Sequence, residues 1–157
     1  MAKIEITDLQ DHVQLDKKLI LQAVRRVIKD EGKSAKSLSI VLTDNRHIRD
    51  LNRQYLGHDS LTDVISFPLE DVDWPTSGNA GINGEIIASA ELAQQQAQSS
   101  SGDPRAELML YVIHGLLHLM GYDDRNPQAA KRMHQREDIL LEELGFGSVY
   151  AGRSLVQ

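Results

Sequence analysis

The most informative stretch of this sequence is His114-Gly-Leu-Leu-His-Leu-Met-Gly-Tyr-Asp-Asp124, which closes an apolar run of helical length. Histidines four residues apart lie on one face of a helix, so the imidazoles of His114 and His118 can converge on one metal ion. Gly121 is the residue type that ends helices in the left-handed conformation, and a turn there can return Asp124 to the same ion. Two imidazoles and one carboxylate, with a position left for water, form a known type of catalytic zinc site.

The spacing of this zincin-like H-x3-H motif can be compared with the metzincin protease pattern H-E-x-x-H-x-x-G-x-x-H. The histidines, the glycine and a ligand-capable last residue stand at the same offsets, but Gly115 replaces the glutamate that serves those proteases as general base. The sequence therefore predicts the geometry of a metal site without the base for proteolysis. Gly115 also argues against a pair of ordinary core histidines, because glycine inside a helix is unfavourable by about 0.5–1 kcal/mol relative to alanine. A close approach to the backbone is one reason to keep it.

The residue before Asp124 leaves two interpretations open. Asp123 is either a carboxylate that orients one of the imidazoles or a plain loop residue. Asn126 and Pro127 predict the cap and the first turn of the last helix. Because Asn126 takes the capping role, Asp124 is available as a metal ligand.

The composition is that of a globular protein, with 41% hydrophobic and 25% charged residues in a chain of 157. This length fits one core, so we expect a single domain over residues 1–157. The chain has no cysteine, which excludes disulfides and thiolate metal sites. We expect a cytoplasmic protein with no membrane partner, because no apolar run is long enough for a membrane span or a signal peptide. The net charge of −6 argues against a general nucleic-acid coat protein.

Periodicity and cap residues predict four strands and five helices. The predicted strands are Lys3–Thr7, Leu38–Thr43, Asp63–Phe67 and Gly84–Ser89. The predicted helices run from a cap at Asp16 to about Glu31, from Thr43 or Asp44 to about Tyr55, over Ala90–Gln98, from Asp103-Pro104 through the histidine stretch, and from Asn126-Pro127 to Gly145. An exposed loop that carries Trp74 is predicted over Glu70–Asn83. This order predicts an α+β fold, a small mixed four-stranded sheet packed with about five helices.

The second predicted helix carries an arginine stripe, made of Arg46, Arg49 and Arg53, opposite its apolar face. Such a stripe is usually a solvated face. The functional alternative is an edge that contacts the phosphates of a nucleic acid.

Four blocks of the sequence resemble the YbeY-type endoribonucleases, a family of bacterial rRNA maturation factors. The blocks occur in the family's order and span roughly residues 38 to 145. The third block matches the family pattern H-G-x-L-H-L-x-G-Y-D-H up to its last residue. The four blocks are Leu51-Asn52 with Tyr55 and Thr62–Pro68, Gly84–Ser89, His114–Asp123, and Met133 with Glu137 and Leu144-Gly145.

The resemblance implies a metal-dependent endoribonuclease that cleaves single-stranded RNA in small-subunit rRNA 3′-end maturation and ribosome quality control. It implies one zinc ion, with His114 and His118 as two of three ligands. The family's third ligand is a histidine, and Asp124 stands there, so we expect Asp124 to bind zinc or another divalent metal. The expected partners are single-stranded rRNA and the small ribosomal subunit or a ribosomal protein, and not DNA.

The metal would lower the pKa of a water towards ~7 or act as a Lewis acid on a phosphoryl oxygen. Aspartate as third ligand lowers the charge of the centre from +2 to about +1, so its water should be less acidic than at a three-histidine site. Leu56 stands where the family usually has an arginine, and leucine cannot bind phosphate. We expect the RNA to lie along the sheet edge and the arginine helix, with Arg53 as the candidate substitute.

Two other functions stay open. The first is another metal-dependent hydrolase, with peptides as a candidate substrate, and the glycine at position 115 argues against it. The second is a non-catalytic ribosome-binding module whose metal is structural or lost, which Asp124 and Leu56 favour. Binding to small-subunit particles without RNA cleavage would distinguish the second alternative from the nuclease.

Overall fold

The computed structural model describes residues 3–57, 59–68 and 81–147. All four predicted strands and all five predicted helices occur in this part of the chain. In chain order the elements are β1 (Lys3–Asp8), α1 (Lys17–Asp30), β2 (Ala35–Thr43), α2 (Asn45–Leu56), β3 (Val64–Pro68), β4 (Ile82–Ser89), α3 (Ala90–Ser100), α4 (Pro104–Leu119) and α5 (Pro127–Glu143).

The boundaries differ from the predicted ones mainly at the starts of β2 and β4. β2 begins at Ala35 rather than Leu38, and β4 begins at Ile82 rather than Gly84. The end of the predicted loop Glu70–Asn83 is therefore strand, and pairing with β2 overrides its loop-like composition. Residues 70–80 of that loop, with Trp74, lie outside the described residues.

The four strands form one mixed sheet in the order β1-β2-β4-β3. β1 and β2 are parallel, β2 and β4 are parallel, and β3 runs antiparallel to β4. The predicted α+β fold with a small mixed four-stranded sheet is confirmed. Among the described strands, β3 has β4 as its one neighbour, so β3 is an edge strand next to the helix that carries the histidines.

The two faces of the sheet carry different helices. On one face α4 packs so closely that a Cβ on Gly115 would lie 2.8 Å from Cγ2 of Ile86. On the other face Ile48 of α2 forms a separate cluster with Ile65 and Ile87. Successive strand residues point to opposite faces, so Ile86 and Ile87 separate these two packings. The arginine helix α2 and the histidine helix α4 therefore lie on opposite sides of the sheet.

α4 is the most buried helix of the described chain, with buried side chains all around it from Ala106 to Leu117. A helix that is apolar all round belongs in a core, which explains the long apolar run of the sequence. Asp103 caps it and Pro104 occupies its first turn, as predicted. Its C-terminal end reaches the surface, and the two histidines lie there half-buried.

The turn after α4 is a Schellman motif. Gly121 has a φ of 103°, and its N–H donates to the carbonyl of His118 at 3.0 Å. The N–H of Tyr122 donates to the carbonyl of Leu117, also at 3.0 Å. Only glycine adopts this backbone region without strain, so the predicted helix stop is confirmed. The motif reverses the chain and brings residues 122–124 back towards the histidines.

Polar side chains cap the other helices as predicted. Asp16, Ser89 and Asn126 cap α1, α3 and α5. Of the two candidates for α2, Asp44 is the cap, because its carboxylate accepts the N–H of His47 at 2.9 Å. No described helix is both long and apolar enough to span a membrane.

Candidate metal centre

Three side chains meet at the C-terminal end of α4: His114, His118 and Asp124, here named the donor triad. The two Nε2 atoms are 3.1 Å apart, and Oδ2 of Asp124 is 3.6 Å from each of them. Three ligands of a tetrahedral zinc ion, each about 2.0–2.1 Å from the metal, are about 3.3 Å apart from one another. The donor triad therefore has the separations that a single zinc ion requires, and it could hold a metal ion.

Hydrogen bonds on the far side of each imidazole determine which nitrogen faces the triad. Nδ1 of His118 donates to the carbonyl oxygen of Tyr122 at 3.2 Å, because a carbonyl can only accept. Nδ1 of His114 lies 2.5 Å from Oε2 of Glu137 and donates to that carboxylate. When both imidazoles are neutral, their Nε2 lone pairs and the carboxylate of Asp124 are thus directed at one point. Such a convergence of acceptors is stabilised by a cation, so the donor set fits a metal ion.

Glu137 on α5 supports the triad from the buried side of His114. Its carboxylate has no exposure, and its second oxygen, Oε1, lies 3.2 Å from Nδ1 of His134. A buried carboxylate is tolerated when its oxygens are paired in this way. Glu137 therefore holds His114 in the tautomer that a metal needs, while His134 holds Glu137.

Carboxylates around His114 control its charge. Burial by itself lowers the pKa of this imidazole, but the hydrogen bond and the charge of Glu137, together with the charges of Asp63 and Asp124, outweigh burial. The result is a pKa raised above the ordinary 6.5. The three carboxylates create a negative potential at this imidazole, and such a potential attracts a cation.

Exposure of the side chains increases from the base of the centre to its mouth. Glu137 is fully buried and His114 is 17% exposed, whereas His118 is 30% and Asp124 38% exposed. Solvent can thus reach the triad from the Asp124 side. Three protein ligands leave a fourth tetrahedral position for water or substrate, as catalytic zinc sites do.

Gly115 shows why the protease glutamate is missing. A Cβ at this position would lie 2.8 Å from Cγ2 of Ile86 and 3.3 Å from Cγ2 of Val64. A side chain there would point into the sheet and not towards the donor triad. The close backbone approach expected from the sequence is confirmed, and the partner that approaches is the sheet itself.

The contacts of Asp123 in the described structure are with Arg125. Its Oδ1 accepts the backbone N–H of Arg125 at 2.9 Å and lies 3.2 Å from the Nε of the same arginine. Of the two interpretations of Asp123, the loop residue agrees with the structure. Asp124 is the residue that the turn returns to the histidines.

The three arginines of α2 are not brought together with the donor triad, because α2 lies on the other side of the sheet. All three are exposed. Arg49 is 3.1 Å from Asp59, and Arg53 is 3.0 Å from Asp50. Carboxylates thus partly neutralise the stripe that Arg46 begins, and its contact with phosphates stays a prediction.

Besides Glu137, two further residues near the triad were not singled out as functional from the sequence. Asp63 precedes β3 and acts on His114 through its charge. Its Oδ1 accepts the N–H of Val64 at 2.8 Å, which fixes the side chain at the start of the strand. His134 lies one helical turn before Glu137. Residues three apart on a helix are neighbours, so His134 could have been predicted as a partner once the role of Glu137 was known.

Comparison with known proteins places the chain among bacterial relatives. The family model described as Endoribonuclease YbeY matches residues 5–145. The Endoribonuclease YbeY of Salinibacter ruber is 39% identical over 130 residues, which are 82% of this chain and 83% of the relative. That of Carboxydothermus hydrogenoformans is 38% identical over 145 residues, which are 90% of this chain and 97% of the relative.

A solved structure has a similar fold. The solution structure of TM1509 from Thermotoga maritima matches this chain with a TM-score of 0.60 and 28% sequence identity, and the match covers 88% of each chain.

Proposed function

The chain belongs to the YbeY endoribonuclease family, and on that premise we propose that it cleaves single-stranded RNA with a zinc ion held by His114, His118 and Asp124. The observation that carries the proposal is the set of donor separations, 3.1 Å between the Nε2 atoms and 3.6 Å from each to Asp124. Residues 1–157 are proposed to act as one catalytic domain, because all described strands form one sheet and each described helix packs on that sheet or on another helix.

The chain's own residues prepare the centre before any metal binds. Glu137 and the carbonyl of Tyr122 hold the two Nδ1–H groups, which keeps both Nε2 atoms directed at the ion and makes the imidazoles more basic. Asp124 closes the triangle from the solvent side and leaves a net charge of about +1 when zinc is bound. A zinc ion in this position supplies Lewis acidity and lowers the pKa of water.

The path proposed for the RNA follows the edge of the described sheet, which β3 forms. Asp63, at the start of this strand, is close enough for its charge to act on His114. A strand of RNA that meets the donor triad there and also reaches Arg46, Arg49 or Arg53 has to pass around the edge, since α2 lies on the opposite face. A single strand can follow such a path far more easily than a stiff duplex, which supports single-stranded RNA as the substrate class.

Small-subunit rRNA near its 3′ end is the proposed target, in ribosome maturation and quality control in the cytoplasm. A net charge of −6 gives the chain little general affinity for RNA. Recognition of the small ribosomal subunit or of a ribosomal protein is therefore the proposed source of specificity. Co-sedimentation with purified small-subunit particles should occur and should survive removal of the metal. If the chain fails to co-sediment with small-subunit particles, this partner would be contradicted.

The main experiment compares Asp124→Ala with Asp123→Ala, each purified without a histidine tag. Metal content by mass spectrometry should give about one zinc per chain in the unchanged protein and in Asp123→Ala, and little in Asp124→Ala. Both zinc-containing proteins should cut a labelled single-stranded RNA and leave the same sequence intact in a duplex.

Three results would change the proposal. Zinc retained by Asp124→Ala would remove Asp124 from the ligand set. Zinc binding and attachment to small-subunit particles without RNA cleavage would favour a binding module, for which Leu56 and Asp124 are the sequence arguments. Digestion of casein would favour a peptide hydrolase, against which the packing of Gly115 on Ile86 argues.

A further inference from the structure

A second set of hydrogen bonds supports His118 from the other side of the molecule. Tyr122, whose carbonyl accepts from His118, donates its phenolic O–H to Oε1 of Glu31 at 2.8 Å. Nε of Arg136 donates to the other oxygen of Glu31 at 2.5 Å. Tyr122, Glu31 and Arg136, here named the support network, join the turn after α4 to the end of α1 and the middle of α5.

The support network lies in a partly dry environment. The side chain of Glu31 is 12% exposed and that of Arg136 is 25% exposed. A charge-assisted hydrogen bond between partly buried groups is stronger than an exposed ion pair, which solvent and salt screen. Glu31 is also fixed through its backbone, because Gly32 and Lys33 close a Schellman turn on the carbonyls of α1 directly after it.

We propose that Glu31 is a positioning residue for the metal centre. With Arg136 it holds the phenol of Tyr122, so that the Tyr122 carbonyl fixes the ring of His118 and the turn returns Asp124 to the histidines. This inference rests on the proposed metal site. α5 then supports both histidines through adjacent residues, His114 directly through Glu137 and His118 through Arg136 and the support network.

A simpler role for Glu31 would be to fasten α1 to α5. The structure already contains another connection of this kind. Arg26 on α1 donates to the carbonyl of Glu143 at 3.3 Å and lies 4.0 Å from its carboxylate. Within the described part of the chain, Arg26 has its polar contacts with Asp30 and Glu143 and forms no hydrogen bond or ion pair with a member of the support network. It is therefore a matched control for a contact that joins the same two helices without reaching Tyr122.

The experiment uses the full chain with Tyr122→Phe, Glu31→Ala and Arg26→Ala. Zinc affinity is measured by competition with a chromophoric chelator, and the visible spectrum of the cobalt-substituted protein reports the ligand geometry. Tyr122→Phe and Glu31→Ala should each weaken zinc binding about tenfold and change the cobalt spectrum. The double variant should be little worse than either single one, because both changes break the same chain of contacts. Arg26→Ala should leave affinity and spectrum unchanged.

Tyr122→Phe removes one oxygen atom and keeps the ring, so it tests the inference even if Glu31→Ala does not fold. Unchanged zinc affinity and an unchanged cobalt spectrum in Tyr122→Phe would overturn the positioning role. An equal loss of affinity in Arg26→Ala would also overturn it, in favour of general fastening of α1 to α5. If the native chain binds neither zinc nor cobalt, the proposed metal site is overturned together with this inference. If the native chain binds zinc and Tyr122→Phe binds it equally well, only the positioning role is overturned.

Discussion

The buried carboxylate of Glu137 lies 2.5 Å from Nδ1 of His114, so the opposite nitrogen of that ring faces Asp124 across 3.6 Å. One hydrogen bond therefore determines both the tautomer and the direction of the ligand atom.

Replacing Glu137 with glutamine keeps its size and removes its charge. An amide has one acceptor oxygen, so one of the two Nδ1–H groups, of His114 or of His134, would lose its acceptor. We expect zinc affinity to fall by about 10–100-fold, measured by chelator competition. Glu142→Gln, an exposed acid on the same helix, is the control and should bind zinc normally. Equal affinities in the two variants would contradict the orienting role.

The stability of the metal-free protein should depend on His114 in a definite direction. Its folded-state pKa is raised above 6.5, so the proton is held more tightly in the folded chain than in the unfolded one. This contribution is complete below the unfolded pKa and is lost as the pH rises through the folded pKa. The difference in free energy of unfolding between the native chain and His114→Gln, from urea titrations, should therefore shrink from pH about 6 to 8.

With zinc present the dependence should reverse, because the metal needs the deprotonated imidazole. Zinc affinity should rise with pH until the raised pKa of His114 is passed. A metal-free difference that grows with pH would show that His114 is not held in its charged form by the surrounding carboxylates.

Changing Asp124 to histidine should give the third ligand that the family resemblance implies and raise the charge of the zinc-loaded centre. Without the carboxylate the ion acidifies water more strongly, so the pH at which cleavage rises should shift down by about one unit. The measurement is kcat/KM for a single-stranded RNA between pH about 5 and 9. Zinc content is the control and should stay near one per chain. An unchanged rising limb would mean that the third ligand does not set the acidity of the centre.

Changing Arg46, Arg49 and Arg53 together to alanine tests the RNA path around β3. If all three contact phosphates, the plot of the logarithm of the RNA binding constant against the logarithm of the salt concentration should become less steep by about two. The contacts of Arg49 with Asp59 and of Arg53 with Asp50 make this an upper value. The kcat should change little. Fluorescence anisotropy of labelled RNA over a salt series gives the slope.

The control for this triple variant removes three exposed cations of α1, which gives the same change in net charge. If both triple variants lose the same affinity, only net charge matters and the path along α2 is wrong. The three control positions are Lys17, Lys18 and Arg25.

Gly115→Ala should destabilise the fold, although alanine is the better helix former. The new Cβ would lie 2.8 Å from Cγ2 of Ile86, a fully buried side chain. Overpacking of this kind costs about 1–3 kcal/mol, against a helix-propensity gain of about 1 kcal/mol. Urea denaturation should show the loss, and it should shrink in an Ile86→Ala background. An equal loss in both backgrounds would place the strain elsewhere.

The sequence by itself determined the local features of this protein. Asp103 and Asn126 cap their helices, Gly121 ends α4, and His114 and His118 share one face of that helix. Each of these features depends on residues within about four positions of one another, because helix geometry and capping are local. The choice of Asp124 as the returning carboxylate also followed from a short turn, and the structure agrees with it.

Only the tertiary structure decided which distant groups support that local motif. Glu137 meets His114 from 23 residues away, and Glu31 meets Tyr122 from 91 residues away. The placement of α2 and α4 on opposite faces of the sheet likewise has no local signal. Hydrophobic periodicity identifies the face that an element buries but not the element that covers it, because burial of apolar surface is non-directional. The candidate donor triad was therefore predictable from the sequence, while its orienting partners and the position of the arginines required the folded structure.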